Sequence, residues 1–204
     1  MPKTDILAER PRAVETIFGE AADGRRMEVR RLVESDAAEL WRLRRQALEQ
    51  EPSSFAESPE ELLQVTTETY AQRLRAESTD SFVFGAFHGP KLEGMAGFFR
   101  EPRLKRRHKG TVWGVYVAPQ HRGQGVARAL LTGVLNAAGN IPELRWIALS
   151  VTTEGEPARR LYRSLGFRAW GVEPGALRIG GALIDEEHMV LELDAMNSGS
   201  RFRH

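Results

Sequence analysis

Val115-Tyr116-Val117-Ala118-Pro119-Gln120-His121-Arg122-Gly123-Gln124-Gly125-Val126-Ala127 reads as the end of a strand, a short turn and the start of a helix. Pro119 stops the apolar strand, and Arg122, Gly123 and Gly125 fill the turn. Glycine lets the backbone take positive φ and come close to a ligand. N–H groups at a helix start point outward with partial positive charge, which suits a phosphate or pyrophosphate. Arg122 can add a charge-assisted bond. The spacing alone fits a plain strand-to-helix turn equally well. A Walker A loop is excluded because no Gly-Lys-Ser/Thr follows, and the dinucleotide fingerprint fits poorly.

Outward from this turn, the chain alternates strand and helix patterns. Met27–Leu32 alternates apolar and charged residues, as a half-buried strand does. A short helix is expected around Val14–Phe18. Ser35 can cap a helix carrying Leu40, Leu43, Ala47 and Leu48 on one face, stopped at Glu51-Pro52. Ser58-Pro59-Glu60-Glu61 starts a second helix, expected to reach Ala76. Ser81–His88 and Leu92–Arg100 form a hairpin about Gly89-Pro90, and Thr111–Val117 is a third strand. A helix over Gly125–Ala138, a strand over Leu144–Val151 and a helix over Glu156–Leu165 follow, the last capped by Gly166. Phe167–Val172 and Ile184–Leu193 close the series as strands. This order predicts an α/β chain of the mixed α+β type, with helices on both faces of a mixed sheet. Residues 1–25 read as a flexible extension, 26–194 as the domain and 195–204 as a loose tail.

With 204 residues the chain holds one domain on a basis of ~150 residues each. The absence of cysteine excludes disulfide frameworks, iron–sulfur clusters and thiol nucleophiles. Lys and Arg number 29 against 28 Asp and Glu, so binding of nucleic acid through bulk charge is not indicated. No apolar run approaches the ~18 residues of a membrane helix. The first 25 residues lack the apolar core of a secretory signal, and a cytoplasmic location is expected. The five histidines show no metal-ligand spacing, and no metal is expected.

Two motifs together carry a family resemblance. Gln120-His121-Arg122-Gly123-Gln124-Gly125 matches the Gln/Arg-x-x-Gly-x-Gly/Ala pattern of the GNAT superfamily of acyl-CoA-dependent N-acyltransferases. Ala158-Arg159-Arg160-Leu161-Tyr162-Arg163-Ser164-Leu165-Gly166-Phe167, after Leu149-Ser150-Val151, is similar to its Ala-x-x-Leu-Tyr-x-x-x-Gly-Phe helix. Leu48 to Glu61 looks like the family's acceptor-side segment, and the resemblance spans about 27–193.

The resemblance implies a mostly antiparallel sheet of about six or seven strands, splayed in the middle. It implies that acetyl-CoA is the cosubstrate and a primary amine the acceptor, either a small molecule or a protein N-terminus or lysine. Backbone groups of Val115, Tyr116 and Val117 would hold the pantetheine arm. The N–H groups from Arg122 through Gly123, Gln124, Gly125 and Val126 to Ala127 would hold the pyrophosphate. Tyr162 would be the general acid that protonates the leaving thiolate.

Two positions depart from the family pattern. Trp113 stands where many members carry a general-base Glu, and Gly155 stands where relatives often carry Asn. Glu101, His108 and Glu186 are base candidates by residue type alone, and solvated roles suit all three. The basic run from Arg100 to Lys109 could attract an acidic acceptor, the 3′-phosphate of CoA or RNA, but a solvated hairpin end is the favoured reading. Asp185-Glu186-Glu187 reads as a solvated strand start, Trp41 as core, and Phe55 as either core or pocket lining. A non-catalytic acyl-CoA-binding or regulatory module is the alternative to an enzyme. A homodimer through the late strands is compatible with the pattern, though no interface is legible.

Overall fold

The computed structural model describes residues 16–20, 26–75 and 78–193. Its centre is an eight-stranded sheet. In chain order the strands are β1 (Thr16–Glu20), β2 (Arg26–Arg31), β3 (Ser81–His88), β4 (Lys91–Arg100), β5 (Lys109–Val117), β6 (Trp146–Thr152), β7 (Arg168–Ile179) and β8 (Ala182–Glu192). They lie side by side in the order β1-β2-β3-β4-β5-β6-β8-β7. Every neighbouring pair is antiparallel except β5 and β6.

That parallel pair is short. Lys109, Gly110 and Thr111 stand opposite Trp146, Ile147 and Ala148, and no pairing continues beyond them. On its other side β5 carries a bulge: Met95 pairs with Tyr116 and Gly97 with Trp113, so Ala96 faces both Gly114 and Val115. Gly114 takes φ +63°, the left-handed conformation that such a bulge demands. A bulged strand bends and twists more strongly, and here β5 leaves β6 from the residues just before the bulge. The splay expected in the middle of the sheet is therefore present.

The helices cover both faces. Helix α4 (Val126–Gly139) lays Val126, Ala129, Leu130, Leu131, Val134 and Leu135 onto one face, where they join Phe84, Phe98, Val112, Ile147 and Leu191 in a core. Helix α5 (Glu156–Ser164) adds Tyr162 to the same core. Helix α1 (Ala37–Gln50) packs Leu40, Leu43, Ala47 and Leu48 against the opposite face, with Leu62 of α2 (Pro59–Leu62) and Tyr70 of α3 (Thr67–Arg75).

Four sequence expectations change. Thr16–Glu20 is a strand on the sheet edge, not part of a helix: its backbone pairs with β2, which overrides a weak local preference. The rest of the expected N-terminal extension, the last expected domain residue 194 and the expected tail 195–204 lie outside the described residues. The sheet is mostly antiparallel as expected, with eight strands against about six or seven. The helix expected from Ser58 to Ala76 is two helices. Ser58 caps the first, and Thr66 caps the second by accepting a bond from the N–H of Thr69 at 3.2 Å. Between them the Val65 carbonyl accepts a bond from Trp41 Nε1 at 2.9 Å. Finally, β7 runs on to Ile179 and turns into β8 through Gly180-Gly181, well past the expected end at Val172.

Candidate active site

Where β5 parts from β6, a cavity of about 510 Å³ opens. The end of β5, the turn after it, the first residues of α4 and the inner face of α5 form its walls, and the Glu51–Phe55 segment closes it. Val115, Tyr116, Val117, Arg122, Gly123, Gly125, Val126, Ala127 and Tyr162 all line it. Of the residues expected to bind acetyl-CoA or act as the acid, only Gln124 does not, because its side chain folds back to donate to the Gln120 carbonyl at 3.0 Å.

The turn has the geometry of an anion cradle. Gly123 and Gly125 have φ +75° and +80°, and no heavy atom lies within 4 Å of a Cβ built on either. The glycines are thus required by backbone conformation and leave the space above the turn clear. The first bond of α4 runs from the Ala129 N–H to the Gly125 carbonyl at 3.0 Å. The N–H groups of Val126 to Arg128 precede that bond and have no carbonyl within the helix to serve.

Arg122 departs from expectation. Its N–H already donates to the Pro119 carbonyl at 3.2 Å, so the cradle starts at Gly123. Its guanidinium turns back toward β5: Nε donates to the Val117 carbonyl at 2.9 Å, and Nη1 pairs with Glu51 at 2.8 Å. The side chain thereby ties the turn to the Glu51–Phe55 segment, and the Val117 carbonyl, one of the β5 groups expected to hold the pantetheine arm, already carries a bond.

Tyr162 sits on α5 with 6% of its surface exposed, its ring 6.0 Å from that of Phe167. Burial pushes the phenol well above the usual tyrosine range, which keeps it protonated at neutral pH. Gly155 explains the missing Asn: a Cβ there would lie 3.2 Å from the Thr152 carbonyl and 3.3 Å from Val151 Cγ2. The turn into α5 is too tight for a side chain without adjustment.

The opposite face of the sheet forms the second half of the site. Phe55, 9% exposed, lines the cavity with its ring 6.5 Å from that of Tyr116, and Tyr116 donates to Gln50 at 2.7 Å. Arg44 is buried beside them. It pairs with Glu57 at 2.9 Å and lies over the Phe55 ring at 4.7 Å and the Trp113 ring at 5.8 Å. Its Nη1 has no hydrogen-bond partner and faces the Gly114 bulge.

The base candidates chosen by type scatter. Glu101 lies at a second cavity of about 450 Å³ lined also by Arg106, Trp146 and Trp170, while His108 lines neither cavity. Glu186 lies on β8, its carboxyl pushed up by burial and by Glu173, with His188 opposing. Glu187 is not solvated but buried, because Arg159 at 2.9 Å and Arg163 at 3.2 Å hold it on the α5 side. Two members of the basic run are committed to structure: Arg100 is buried and donates to the carbonyls of Arg107 and Pro142, and Arg107 pairs with Asp80 at 2.7 Å.

Sequence reading missed Arg44 and a Ser150–His188–Glu173 cluster on the open sheet face. No local pattern marks either. Arg44 on α1 is met by Phe55, Glu57 and Trp113 from other segments, and the cluster is assembled by the pairing of β6 and β7 with β8.

A family model of the acetyltransferase (GNAT) family matches residues 40–167, from within α1 to the residue before β7. The chain belongs to the acetyltransferase (GNAT) family. The N-alpha-acetyltransferase RimI of Mycobacterium tuberculosis is 34% identical over 99 residues, which cover 48% of this chain and 59% of that protein. The chain thus spans less than two thirds of that relative. A GNAT-family acetyltransferase from Streptococcus pneumoniae superposes with a TM-score of 0.75 at 25% identity, covering 81% of this chain and 99% of its own. The yncA protein of Salmonella typhimurium, solved with acetyl-CoA, superposes with a TM-score of 0.72 at 22% identity, covering 82% and 94%. The mixed sheet with its central splay is the GNAT fold, and both motifs that carried the resemblance lie on this cavity. Among the described residues no helix is long and apolar enough to cross a membrane.

Proposed function

We propose that this GNAT protein transfers the acetyl group of acetyl-CoA to a primary amine by direct attack. One observation carries the reading. The left-handed turn at Gly123 and Gly125, the unzipped end of β5 and the buried phenol of Tyr162 all border one cavity.

The N–H groups from Gly123 to Ala127 would hold the pyrophosphate. The pantetheine arm would lie along Val115 to Val117 as an added strand does. Holding amine and thioester side by side removes much of the entropic barrier, on the order of 7–11 kcal/mol in ideal cases. The amine nitrogen forms a C–N bond at the thioester carbonyl, the C–S bond breaks, and Tyr162 protonates the departing thiolate. The acceptor enters from the face of Phe55 and Tyr116. RimI is named an N-alpha-acetyltransferase, which puts protein N-termini among the acceptors to test.

The test begins with calorimetric titration of acetyl-CoA into wild type and into a folded Gly123→Glu, Gly125→Glu double variant. Binding by wild type alone is expected. Thiol release is then followed with spermidine, free amino acids and peptides with an unblocked N-terminus. Absence of acetyl-CoA binding overturns the proposal. Binding without thiol release for any amine decides for a non-catalytic acyl-CoA-binding module, the reading that Trp113 at the usual base position favours.

A further inference from the structure

Trp113 leaves β5 without a group to accept the proton of an incoming ammonium, yet the neighbouring strands carry one. Ser150 lies on β6 two residues past Ala148, the last residue paired with β5, so it stands on the splayed edge. Strand alternation sends Ile147 and Leu149 to the α4 core and Ser150 to the opposite face, the face of Phe55 and Tyr116. The Pro52–Ser54 turn beside Phe55 reaches over to β6 and β7. Ser150 Oγ is 2.8 Å from His188 Nδ1, and His188 Nε2 is 2.9 Å from Glu173 Oε2. Three strands, β6, β8 and β7, thus set a hydroxyl, an imidazole and a carboxylate in line. Trp170 flanks the imidazole with ring centres 5.4 Å apart.

We propose that Ser150, His188 and Glu173 form the proton relay that deprotonates the acceptor amine. The inference rests on the acetyl-transfer reading above. Glu173 accepts from Nε2–H and so fixes the tautomer in which Nδ1 accepts the Ser150 proton. Ser150 is exposed at that edge, beside and not within the lining of the 510 Å³ cavity, so the acceptor amine would meet its Oγ on the way in. The ammonium passes one proton to Oγ as the proton of Ser150 moves to Nδ1. The result is a neutral amine and an imidazolium stabilised by Glu173. After attack, the second proton on nitrogen replaces the one Tyr162 gives to sulfur, and His188 returns its proton to solvent. Charge and protons balance with no further reactant. Glu186, on the same strand two residues from His188 and influenced by both His188 and Glu173, is the rival base.

The test compares two kinds of amine in Ser150→Ala, His188→Gln and Glu173→Gln, each checked for fold by thermal unfolding and for acetyl-CoA binding. One is the alkyl amine turned over best by wild type. The other is methoxyamine, already neutral near neutral pH. With the alkyl amine, kcat/KM is expected to fall about 10²-fold or more in His188→Gln, within the range of general-base contributions. With methoxyamine the fall should stay within about 3-fold, because no proton needs removing before attack. Equal losses for both amines, or unchanged turnover of both, overturn the relay. Loss confined to Glu186→Gln assigns the proton to that carboxylate instead and also overturns it. If wild type turns over no amine at all, the acetyl-transfer reading fails and the relay falls with it.

Discussion

A Cβ built on Gly97 would lie 2.2 Å from Cε2 of Trp113 on the neighbouring strand. The indole occupies the space that a side chain at residue 97 would need, so the two positions are matched across the β4–β5 pair. Overpacking a filled core costs about 1–3 kcal/mol. Gly97→Ala is therefore expected to lose that much stability in denaturant unfolding. Trp113→Ala should relieve the clash, giving a coupling of at least about 0.5 kcal/mol in the double-mutant cycle. Additive single costs would refute the match.

Gly123→Ala and Gly125→Ala place a Cβ on residues at φ +75° and +80°. Each should cost about 1–2 kcal/mol of stability, since only the left-handed backbone is strained and nothing is struck. The larger effect is expected on acetyl-CoA, with affinity reduced at least about tenfold, equivalent to about 1.4 kcal/mol. Unaltered binding measured by calorimetry would move the pyrophosphate elsewhere.

Tyr162→Phe retains the buried ring and its contact with Phe167. Loss of one general acid is expected to lower kcat by about 10²–10⁴-fold while acetyl-CoA affinity stays level. A fall in affinity with kcat preserved would make the hydroxyl a binding group.

Asp36 supports the strand-to-helix entry near the acceptor face. Burial opposes its charge. Two bonds from Arg30, at 2.7 and 2.8 Å, and one from the Val33 N–H, at 2.8 Å, overcome that and hold the carboxyl below the usual range. A depressed carboxylate contributes stability that is fully present above its unfolded pKa, about 3.9, and is lost as pH falls through the lower folded value. Asp36→Asn should destabilise at pH 7 by about 1–3 kcal/mol and flatten the acid limb of the stability profile. Parallel wild-type and variant curves below pH 5 would contradict this.

Glu187 contributes in the same pH sense. The hydrogen bond from Arg159 leads in lowering its carboxyl, with burial opposed and Arg163 assisting. Glu187→Gln should loosen α5 by about 1–2 kcal/mol, since Arg159 retains Glu156 at 3.0 Å. Amide exchange along Glu156–Ser164 reads that loosening directly.

The turn and the Tyr162 helix were legible because their information is local. Glycine at a left-handed position and tyrosine four residues after Ala158 are each set within one turn of chain. The bulge at Gly114 was not legible, since a lone glycine in a strand pattern does not reveal which partner residues it skips. Nor was the commitment of Arg122 to Glu51, which brings together segments 71 residues apart (122 − 51). The Ser150–His188–Glu173 line spans three strands and appears only when register is known. Thr16–Glu20 was misread because five residues carry too little periodicity to separate strand from helix.

The brief contact between β5 and β6 has a consequence for the protein's endurance. Three paired residues are a weak seam between five strands on one side and three on the other. On the proposed reading the acyl donor lies along that seam and stitches it. A donor at a hundred times its dissociation constant would add about 2.7 kcal/mol to stability. Resistance to proteolysis would then rise and fall with donor supply, and a starved population would be trimmed first at the unstitched strands.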